Sequence, residues 1–278
     1  MADCSTTATY ALIGNPVGHS LSPLMHNCAY REMGLGAQYV AFCVEDVENA
    51  LQGIRALQIG GVSVTIPHKV AVMEYLDEVD AESRKIGAVN TIVNARGRLK
   101  GANTDWQGIV RTLHAVMEIK GKIFAVLGAG GTAQAALFGI LAAGGIPIVV
   151  NRTGEKGRRL AQAWGCTSHP WEEIDRLRAD CLINTTPVGM YPNTDRSPVP
   201  AGVLANFRWV MDVIYNPLQT RLLREAESAG CVALSGLDMF VHQGAEQIRL
   251  WTGQEPPRTL MREVVRNHLL QLSMNKDQ

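Results

Sequence analysis

The sequence predicts an α/β protein made of two domains, each built around a mostly parallel β-sheet. Short apolar and β-branched runs alternate with amphipathic stretches along nearly all of the 278 residues, which is the pattern of βα units around a parallel sheet. The length supports two domains, because one domain takes roughly 150 residues. We place a first domain at residues 1–105, completed by C-terminal helices within 240–278, and a second at 106–239. On length alone, one long domain is the alternative.

The predicted strands are short runs that turn residues bound on either side. In chain order they are 9–13, 39–44, 61–65, 91–93, 99–102, 123–127, 146–150, 181–183, 209–213 and 232–234. Arg96 and Gly97 stand between the fourth and fifth runs and suit a tight hairpin turn. We therefore expect at least one antiparallel pair in the first domain.

Helix signals lie between and after these runs. Ser22 is predicted to be an N-cap, with Pro23 at the first helical position and Gly34 closing the same helix. Further helices are predicted at 106–117, which would connect the domains, at 131–143, which ends in a Gly-Gly pair, and at 237–251 and 258–272.

The composition excludes several functional classes. The chain has 26 acidic and 26 basic residues, so neither a nucleic acid nor a membrane is an expected partner. No apolar run approaches the roughly 20 residues that cross a bilayer. The six cysteines form no CxxC pair, so we expect no metal site, and reduced thiols in the cytoplasm. The expected partner is a small-molecule substrate, and the sequence leaves a homodimer open.

A strand, a glycine turn and a helix start follow one another in the second domain. The residues of the turn are Gly128, Ala129, Gly130, Gly131, Thr132 and Ala133. Their spacing matches the dinucleotide-binding fingerprint, in which Gly128 permits the tight turn and Gly130 lets the backbone approach a pyrophosphate. Because a strand precedes the turn and a βαβ unit follows it, we predict a Rossmann-type domain that binds a dinucleotide. A purely structural turn is the alternative.

The residues after the predicted strand at 146–150 favour NADP over NAD as the cofactor. A domain that binds NAD usually has an acidic residue there, which bonds the ribose hydroxyls. Here the strand is followed by Asn151, Arg152 and Thr153, and a guanidinium suits a 2′-phosphate. Lys156 and the arginines next to it are candidates to assist. The alternative is a solvated basic start of a helix.

Polar residues recur where the predicted strands of the first domain end. Each has an ordinary explanation when it is taken singly: Ser22 and Asp105 as helix caps, Asn90 as a turn residue and Lys69 as a solvated charge. Open α/β sheets bind their ligands at the carboxyl ends of strands. The recurrence therefore indicates a binding site.

The same segments resemble the shikimate dehydrogenase family, and the resemblance covers nearly the whole chain. The matching strings are IGNPVGHSLSP at 13–23, VTIPHK at 64–69, GAVNT at 87–91, NTD at 103–105, NTTPVGM at 184–190 and GLDMF at 236–240. The resemblance implies a reversible NADPH-dependent reduction of 3-dehydroshikimate to shikimate, a step of chorismate and aromatic amino-acid biosynthesis. It also implies a cleft between a substrate domain and the Rossmann-type domain.

The resemblance assigns roles to individual residues. Lys69 and Asp105 match the catalytic pair beside the reacting carbon. Ser20 and Ser22 match a pair that holds the substrate carboxylate, and Tyr215 matches a tyrosine that helps. Those that match residues bonding the ring hydroxyls are Thr65, Asn90 and Gln243. Those expected near the nicotinamide are Thr185, Val213, Gly236 and Met239.

A lysine beside a carboxylate has a chemical reason in this reaction. Hydride delivery to a ketone builds negative charge on its oxygen, which calls for a nearby cation and a proton donor. Lys69 can supply both, and Asp105 would orient the ammonium group and keep it protonated.

Two positions depart from the family pattern, and three other functions stay open. Many family members have Asn where Ser63 stands and Gly where Trp106 stands, so substrate breadth or domain closure is a point of expected difference. The nearest alternative is a quinate/shikimate dehydrogenase that uses NAD or NADP. The others are a methylenetetrahydrofolate dehydrogenase, which would lack the Ser20 and Ser22 pair, and a non-catalytic NADP-binding sensor.

Overall fold

The computed structural model describes residues 7–274, which form two compact units. The first unit comprises the described residues up to Thr104 together with Gln243–Asn267. The second comprises Asp105–His242 and the described residues from His268 onward. These boundaries differ from the predicted ones at residues 105 and 240–242 and in the C-terminal residues from His268, which were expected to return to the first domain.

The first unit contains a six-stranded mixed sheet. Its strands are β1 (Ala8–Gly14), β2 (Ala37–Cys43), β3 (Gly61–Val64), β4 (Glu78–Val79), β5 (Thr91–Ala95) and β6 (Arg98–Ala102). The strand order is β2-β1-β3-β5-β6-β4, and β5 runs antiparallel to both of its neighbours while the other pairs are parallel. Arg96 and Gly97 both have positive φ, 55° and 88°, which confirms the predicted hairpin between β5 and β6.

The second unit contains a six-stranded sheet in which every pair is parallel. Its strands are β7 (Ile123–Leu127), β8 (Ile146–Asn151), β9 (Thr167–Pro170), β10 (Cys181–Asn184), β11 (Trp209–Asp212) and β12 (Val232–Leu234). The strand order is β12-β11-β10-β7-β8-β9. Renumbered from β7, this is the 3-2-1-4-5-6 order of the Rossmann fold. The predicted Rossmann-type domain is confirmed, and its topological switch point lies between β7 and β10.

The helices surround these sheets. In chain order they are α1 (Ser22–Glu32), α2 (Val47–Ala56), α3 (Ala81–Ile86), α4 (Asp105–His114), α5 (Gly131–Ala142), α6 (Gly154–Trp164), α7 (Arg221–Ser228), α8 (Gly236–Thr252) and α9 (Arg258–Met274). The helix predicted at 106–117 is α4, which ends three residues early and belongs to the second unit. No helix of the described residues is both apolar enough and long enough to cross a membrane.

The prediction that Ser22 caps α1 is wrong by one position. The N-cap is Leu21, because its carbonyl accepts the first bond of the helix, from the backbone N–H of Met25. Ser22 is instead the first helical residue, and its own N–H donates to the hydroxyl of Ser20 at 3.3 Å. Gly34 has a φ of 65° just after the helix, as expected of a closing glycine.

Both faces of the second sheet are buried, which explains why β7 was easy to predict. Phe124 and Val126 belong to one hydrophobic cluster, while Ala125 and Leu127 belong to a second one. Strand side chains alternate between faces, so a run that is apolar at every position marks a strand covered on both sides.

Candidate functional site

In the first unit, three polar segments meet at one edge of the sheet. Thr65 follows β3, Asn90 precedes β5, and Thr104 follows β6. Backbone bonds join them, since the Asn90 carbonyl accepts from Val64 at 2.8 Å and its N–H donates to Ala102 at 3.2 Å. Because β5 is antiparallel, its start lies beside the ends of β3 and β6. Thr65, Asn90 and Thr104 therefore lie at the same edge of the sheet, although Asn90 stands at the start of its strand and not at the carboxyl end that was predicted.

Asn90 is held in one orientation by its neighbours. It is 2% exposed, and its side-chain oxygen accepts from the Thr104 N–H at 2.8 Å and from the Thr91 hydroxyl at 2.7 Å. Its amide nitrogen donates to the Thr104 hydroxyl at 3.0 Å and to the Gln243 oxygen at 3.4 Å. Because a backbone N–H cannot accept, the bond from Thr104 fixes which side of the amide carries oxygen. The structure thus brings together Asn90 and Gln243, two of the residues predicted to bind ring hydroxyls.

A second layer of buried bonds supports Asn90, and the sequence analysis missed its central residue, Gln247. The Gln247 amide nitrogen donates to the Asn90 carbonyl at 3.2 Å and to the Thr91 hydroxyl at 3.0 Å. Its oxygen accepts from Ser63 at 2.8 Å, and Ser63 in turn accepts from Tyr39 at 2.6 Å. Gln247 stands four residues after Gln243 on α8, a spacing that places both on one helix face. This spacing is visible in the sequence and could have identified Gln247 as a neighbour of the site.

Ser63 therefore has a structural role at the position where many family members have Asn. It is 5% exposed, and its hydroxyl is used by Tyr39 and Gln247. A hydroxyl can donate once, and that donation goes to Gln247.

His26 lies next to this layer and is fully buried. Its ring stacks on Tyr39 with centroids 4.1 Å apart, and its Nδ1 lies 2.9 Å from the Ser22 carbonyl. Burial lowers the pKa of His26 to about 4, although the bond to Ser22 acts in the opposite direction. The imidazole is therefore neutral in the folded protein near pH 7, and it donates from Nδ1.

We expect His26 to make the protein sensitive to acid. The unfolded chain takes up a proton near pH 6.5 while the folded one resists protonation down to about 4, so the free energy of unfolding falls as pH falls through this window. The full loss is about 3 kcal/mol. His26→Asn keeps a donor toward Ser22 but does not titrate. Urea unfolding at several pH values between 4 and 7.5 should show the variant approaching the wild type in stability as pH falls.

The control for this prediction is His114→Asn, since His114 is exposed at the end of α4. It should leave the pH dependence of stability unchanged. If the His26→Asn protein lost stability in parallel with the wild type, the buried imidazole would not be the source of the acid sensitivity.

Lys69 and Thr65 flank the turn that follows β3. Thr65 is half-buried, and a Cβ at Gly14 would collide with its side-chain methyl. Gly14 thus leaves room for Thr65 at the end of β1. Lys69 is also half-buried rather than fully solvated, and its backbone carbonyl accepts from Val89 at 2.7 Å. That bond ties the turn to the residue before Asn90.

The Ser20 and Ser22 pair lies at the start of α1. The Ser20 hydroxyl donates to the Ser22 hydroxyl at 3.2 Å, and Ser22 is 6% exposed. Helix N-termini attract anions because their first N–H groups lack partners within the helix. Two hydroxyls at such a start fit a carboxylate without a full positive charge.

In the second unit, the glycine turn lies directly against the segment that follows β10. Gly128 has a φ of 114°, and a Cβ there would stand 2.7 Å from the Thr185 hydroxyl. That hydroxyl donates to the Leu127 carbonyl at 2.6 Å. Any larger residue would be strained and would collide. The contact lies at the topological switch point, where doubly wound sheets bind nucleotides, so the residues present fit a dinucleotide.

The basic residues after β8 divide into paired and unpaired groups. Arg158 and Arg159 both contact Glu155, at 3.0 Å and 2.7 Å, and the two arginines hold the pKa of that carboxyl below its usual range. Arg152 and Lys156 are exposed and make no ion pair with the rest of the described chain. Arg152 is therefore the guanidinium that is available to a phosphate, with Lys156 beside it.

Asp105 and Trp106 begin α4 in the second unit. Asp105 is 4% exposed. The Trp106 ring contacts Phe138 edge-on with centroids 5.2 Å apart, and the α4 backbone passes close to Gly139 of α5. The bulk of Trp106 is thus accommodated within the helix layer of this unit.

Tyr215 and the remaining predicted cofactor residues surround the ends of β11 and β12. Tyr215 stacks on Phe240 with centroids 4.1 Å apart. A Cβ at Gly236 would collide with the Val213 carbonyl, and the Gly236 N–H donates to the Ile214 carbonyl at 3.3 Å. Val213 and Gly236 are therefore neighbours, and Met239 is buried on the same helix start.

Comparison with known proteins matches the chain to one family. A family model described as the shikimate dehydrogenase substrate binding domain matches residues 12–92. A second, described as the shikimate 5'-dehydrogenase C-terminal domain, matches residues 236–266. The shikimate dehydrogenase (NADP(+)) of Pyrococcus furiosus is 45% identical over 261 residues, which cover 93% of this chain and 95% of that protein.

Solved structures resemble the chain over its length. The shikimate 5-dehydrogenase from Thermus thermophilus, in complex with NADP(H) and shikimate, has a TM-score of 0.87 at 39% identity and covers 94% of this chain and 99% of its own. The ligand-free 5-ketofructose reductase of Gluconobacter sp. strain CHM43 has a TM-score of 0.83 at 31% identity, covering 95% and 99%.

Proposed function

Because the chain belongs to the shikimate dehydrogenase family, we propose that it catalyses the reversible reduction of 3-dehydroshikimate to shikimate with NADPH. It would thus be an NADP-dependent oxidoreductase of chorismate and aromatic amino-acid biosynthesis. The observation that supports this most is the 45% identity to a shikimate dehydrogenase (NADP(+)) across 93% of the chain. The Rossmann strand order and the unpaired Arg152 support the choice of cofactor.

In this proposal, the first unit binds the substrate. Ser20 and Ser22 take the carboxylate, with help from Tyr215, while Thr65, Asn90 and Gln243 bond the ring hydroxyls. The contact between Asn90 and Gln243 supports that role, because it places two of the amides predicted to bond ring hydroxyls side by side.

Lys69 and Asp105 carry the chemistry. NADPH supplies the hydride when it is bound in the second unit. Lys69 stabilises the negative charge that develops on the ketone oxygen and passes a proton to it. Asp105 favours the charged form of the ammonium and orients it. In the reverse direction, Lys69 accepts the proton of the shikimate hydroxyl.

The second unit holds the cofactor. The glycine turn from Gly128 to Ala133 takes the pyrophosphate, and Arg152 takes the 2′-phosphate with Asn151, Thr153 and Lys156 beside it. Thr185, Val213, Gly236 and Met239 line the nicotinamide end. The pairing of Thr185 with the Gly128 turn supports this placement.

The cellular location is part of the same proposal. Cys28, Cys43, Cys166, Cys181 and Cys231 all have free thiols. Free thiols suit the reducing cytoplasm, in which we place the enzyme.

An absorbance assay at the NADPH band tests the proposed reaction. We expect NADPH to form from shikimate and NADP at a far higher kcat/KM than from quinate or with NAD. Equal rates with quinate and NAD would favour a quinate/shikimate dehydrogenase. NADP binding without turnover of either substrate would favour a sensor, and 5-ketofructose belongs in the assay because a structural relative bears that substrate in its name.

Ser20→Ala is expected to raise the KM for shikimate roughly tenfold while kcat stays nearly normal. The substitution removes one hydroxyl that would bond the carboxylate, far from the reacting carbon. Steady-state kinetics at saturating NADP measures both constants. Ser228→Ala, on the exposed face of α7, is the control. A fall in kcat with KM intact would remove Ser20 from carboxylate binding.

A further inference from the structure

A buried carboxylate outside the predicted site joins two strand ends in the second unit. Asp212 is the last residue of β11 and is 0% exposed. One of its oxygens accepts from the Asn184 amide at 3.0 Å and from the Ile214 N–H at 3.1 Å. The other accepts from the Thr220 hydroxyl at 2.7 Å. Asp212 thereby fastens β10, β11 and the start of α7 to one another.

A buried carboxylate with only neutral partners contributes little to the stability of the fold. The three partners of Asp212 are neutral donors, and none of them is a Lys, Arg or His. Burial raises the pKa of the Asp212 carboxyl from 3.8 to about 7, and the three hydrogen bonds only partly oppose that rise. An apolar side chain in such a place is often as stable as a buried charge or more so.

Through Asn184, the Asp212 carboxylate fixes the conformation of residues 184–186, which pack against the glycine turn. The Asn184 side-chain oxygen accepts from the N–H and the hydroxyl of Thr186 at 3.0 Å and 2.7 Å. Thr185, between them, is the residue that packs on Gly128. The Asn184 amide nitrogen can donate only toward Asp212 and its own loop in this orientation. Without the carboxylate, the amide nitrogen would keep only its long bond to the Val188 carbonyl, at 3.4 Å.

Through Ile214, the same carboxylate fixes the backbone next to Tyr215. The Ile214 N–H donates to Asp212, and the Ile214 carbonyl accepts from Gly236. Thr220 also accepts from the Leu223 N–H at 3.3 Å as the N-cap of α7. The segment between Asp212 and Thr220 is therefore held at both ends by one side chain.

We propose that Asp212 is a positioning residue of the active site, whose carboxylate fixes Thr185 against the glycine turn on one side and Tyr215 on the other. The proposal rests on the proposed function, which assigns Thr185 to the nicotinamide and Tyr215 to the substrate. Asp212 itself touches neither ligand. It acts by holding both segments at the ends of adjacent strands.

The test compares three substitutions. Asp212→Ala removes the acceptor, and roughly tenfold or larger increases are expected in the Kd for NADPH and the KM for shikimate. Asp212→Asn retains an oxygen for Asn184 and Ile214 and can donate to Thr220, so both constants should return to within about threefold of the wild type. Thr220→Val removes one of the three donors to Asp212 together with the side-chain cap of α7, and it should give an intermediate increase. This variant keeps the test available if Asp212→Ala does not fold.

The control is Thr112→Val, because Thr112 is also buried in this unit and, within residues 7–274, its hydroxyl bonds only inside α4, to the Gly108 carbonyl. Melting temperatures by circular dichroism identify a temperature at which every variant is folded. NADPH fluorescence titration then gives Kd without turnover, and steady-state assays give KM and kcat.

The proposal is overturned if the Asp212 and Thr220 variants lower the melting temperature as Thr112→Val does but leave Kd and KM near wild type. It is also overturned if Asp212→Asn raises Kd and KM as much as Asp212→Ala does. The hydrogen bonds that the asparagine retains would then have no influence on binding. Failure of the proposed function is a separate result: the wild type would bind NADPH but not oxidise shikimate, and the Kd comparison would still stand.

Discussion

Replacing Lys69 with Ala is expected to lower kcat for 3-dehydroshikimate reduction by roughly 10²–10⁴-fold, the usual cost of losing an acid/base group. The affinity for NADPH should be nearly unchanged, because the dinucleotide site belongs to the second unit and Lys69 to the first. Two observations support this role: Lys69 is half-buried, and its backbone carbonyl accepts from Val89, the neighbour of Asn90.

The Lys69 prediction is measured by single-turnover reduction at saturating NADPH, with the Kd for NADPH determined by fluorescence. Lys100→Ala is the control, because Lys100 is exposed on β6 and pairs with Glu78 at 2.8 Å. A Lys69→Ala enzyme with a near-normal rate would remove Lys69 from the chemistry. A large loss of NADPH affinity would instead indicate a folding defect.

Arg152→Gln is expected to raise the KM for NADP by roughly 10- to 100-fold, because a charge-assisted bond to a phosphate is worth about 1.5–3 kcal/mol. The KM for NAD should hardly change, since NAD has no 2′-phosphate for the guanidinium to contact. The preference of the enzyme for NADP over NAD would therefore shrink by the same factor. Steady-state kinetics with each cofactor at saturating shikimate measures this preference.

Arg159→Gln is the matched control for Arg152. Arg159 lies on the same basic helix start but is engaged with Glu155, so its removal should change the KM for NADP by less than about threefold. Equal effects of the two substitutions would mean that general positive charge attracts the cofactor. An equal loss for NAD and NADP would place Arg152 away from the 2′-phosphate.

The parts of the fold that the sequence predicted well are those with strong local signals. The short all-apolar run at β7, followed at once by a glycine turn, indicates a strand buried on both faces and a helix start after it. The hairpin at Arg96 and Gly97 follows from a glycine, which tolerates positive φ, in a short gap between two strand runs.

The parts that were missed depend on tertiary contacts. Strand β4 has two residues and β9 reads Thr-Ser-His-Pro, so neither shows an apolar pattern that marks a strand. Each is a strand because it pairs with an existing sheet edge. The cap of α1 was misplaced by one residue because a serine before a proline is the usual capping pattern, whereas this helix already begins at Ser22, whose N–H bonds back to Ser20.

The candidate site was predictable where polar residues stand at strand ends, and not where they act through other residues. Asn90 directly precedes β5, and Lys69 and Asp105 lie in the segments that follow β3 and β6, so all three could be named as candidates from the sequence. Gln247 contacts the predicted residue Asn90, and Asp212 contacts the neighbours of Thr185 and Tyr215, only after the chain has folded. A carboxylate at the end of an otherwise apolar strand, as at Asp212, is the kind of signal that would have identified the second of these.

Isotope transfer is the most direct test of the central claim, that this enzyme moves a hydride between NADPH and the ketone carbon of 3-dehydroshikimate. NADPH deuterated at the transferable position of the nicotinamide would be incubated with enzyme and 3-dehydroshikimate, and the product analysed by mass spectrometry and NMR. The account predicts shikimate that carries one deuterium on the carbon that held the ketone. Shikimate without that deuterium, or no shikimate while NADPH is bound, would contradict it.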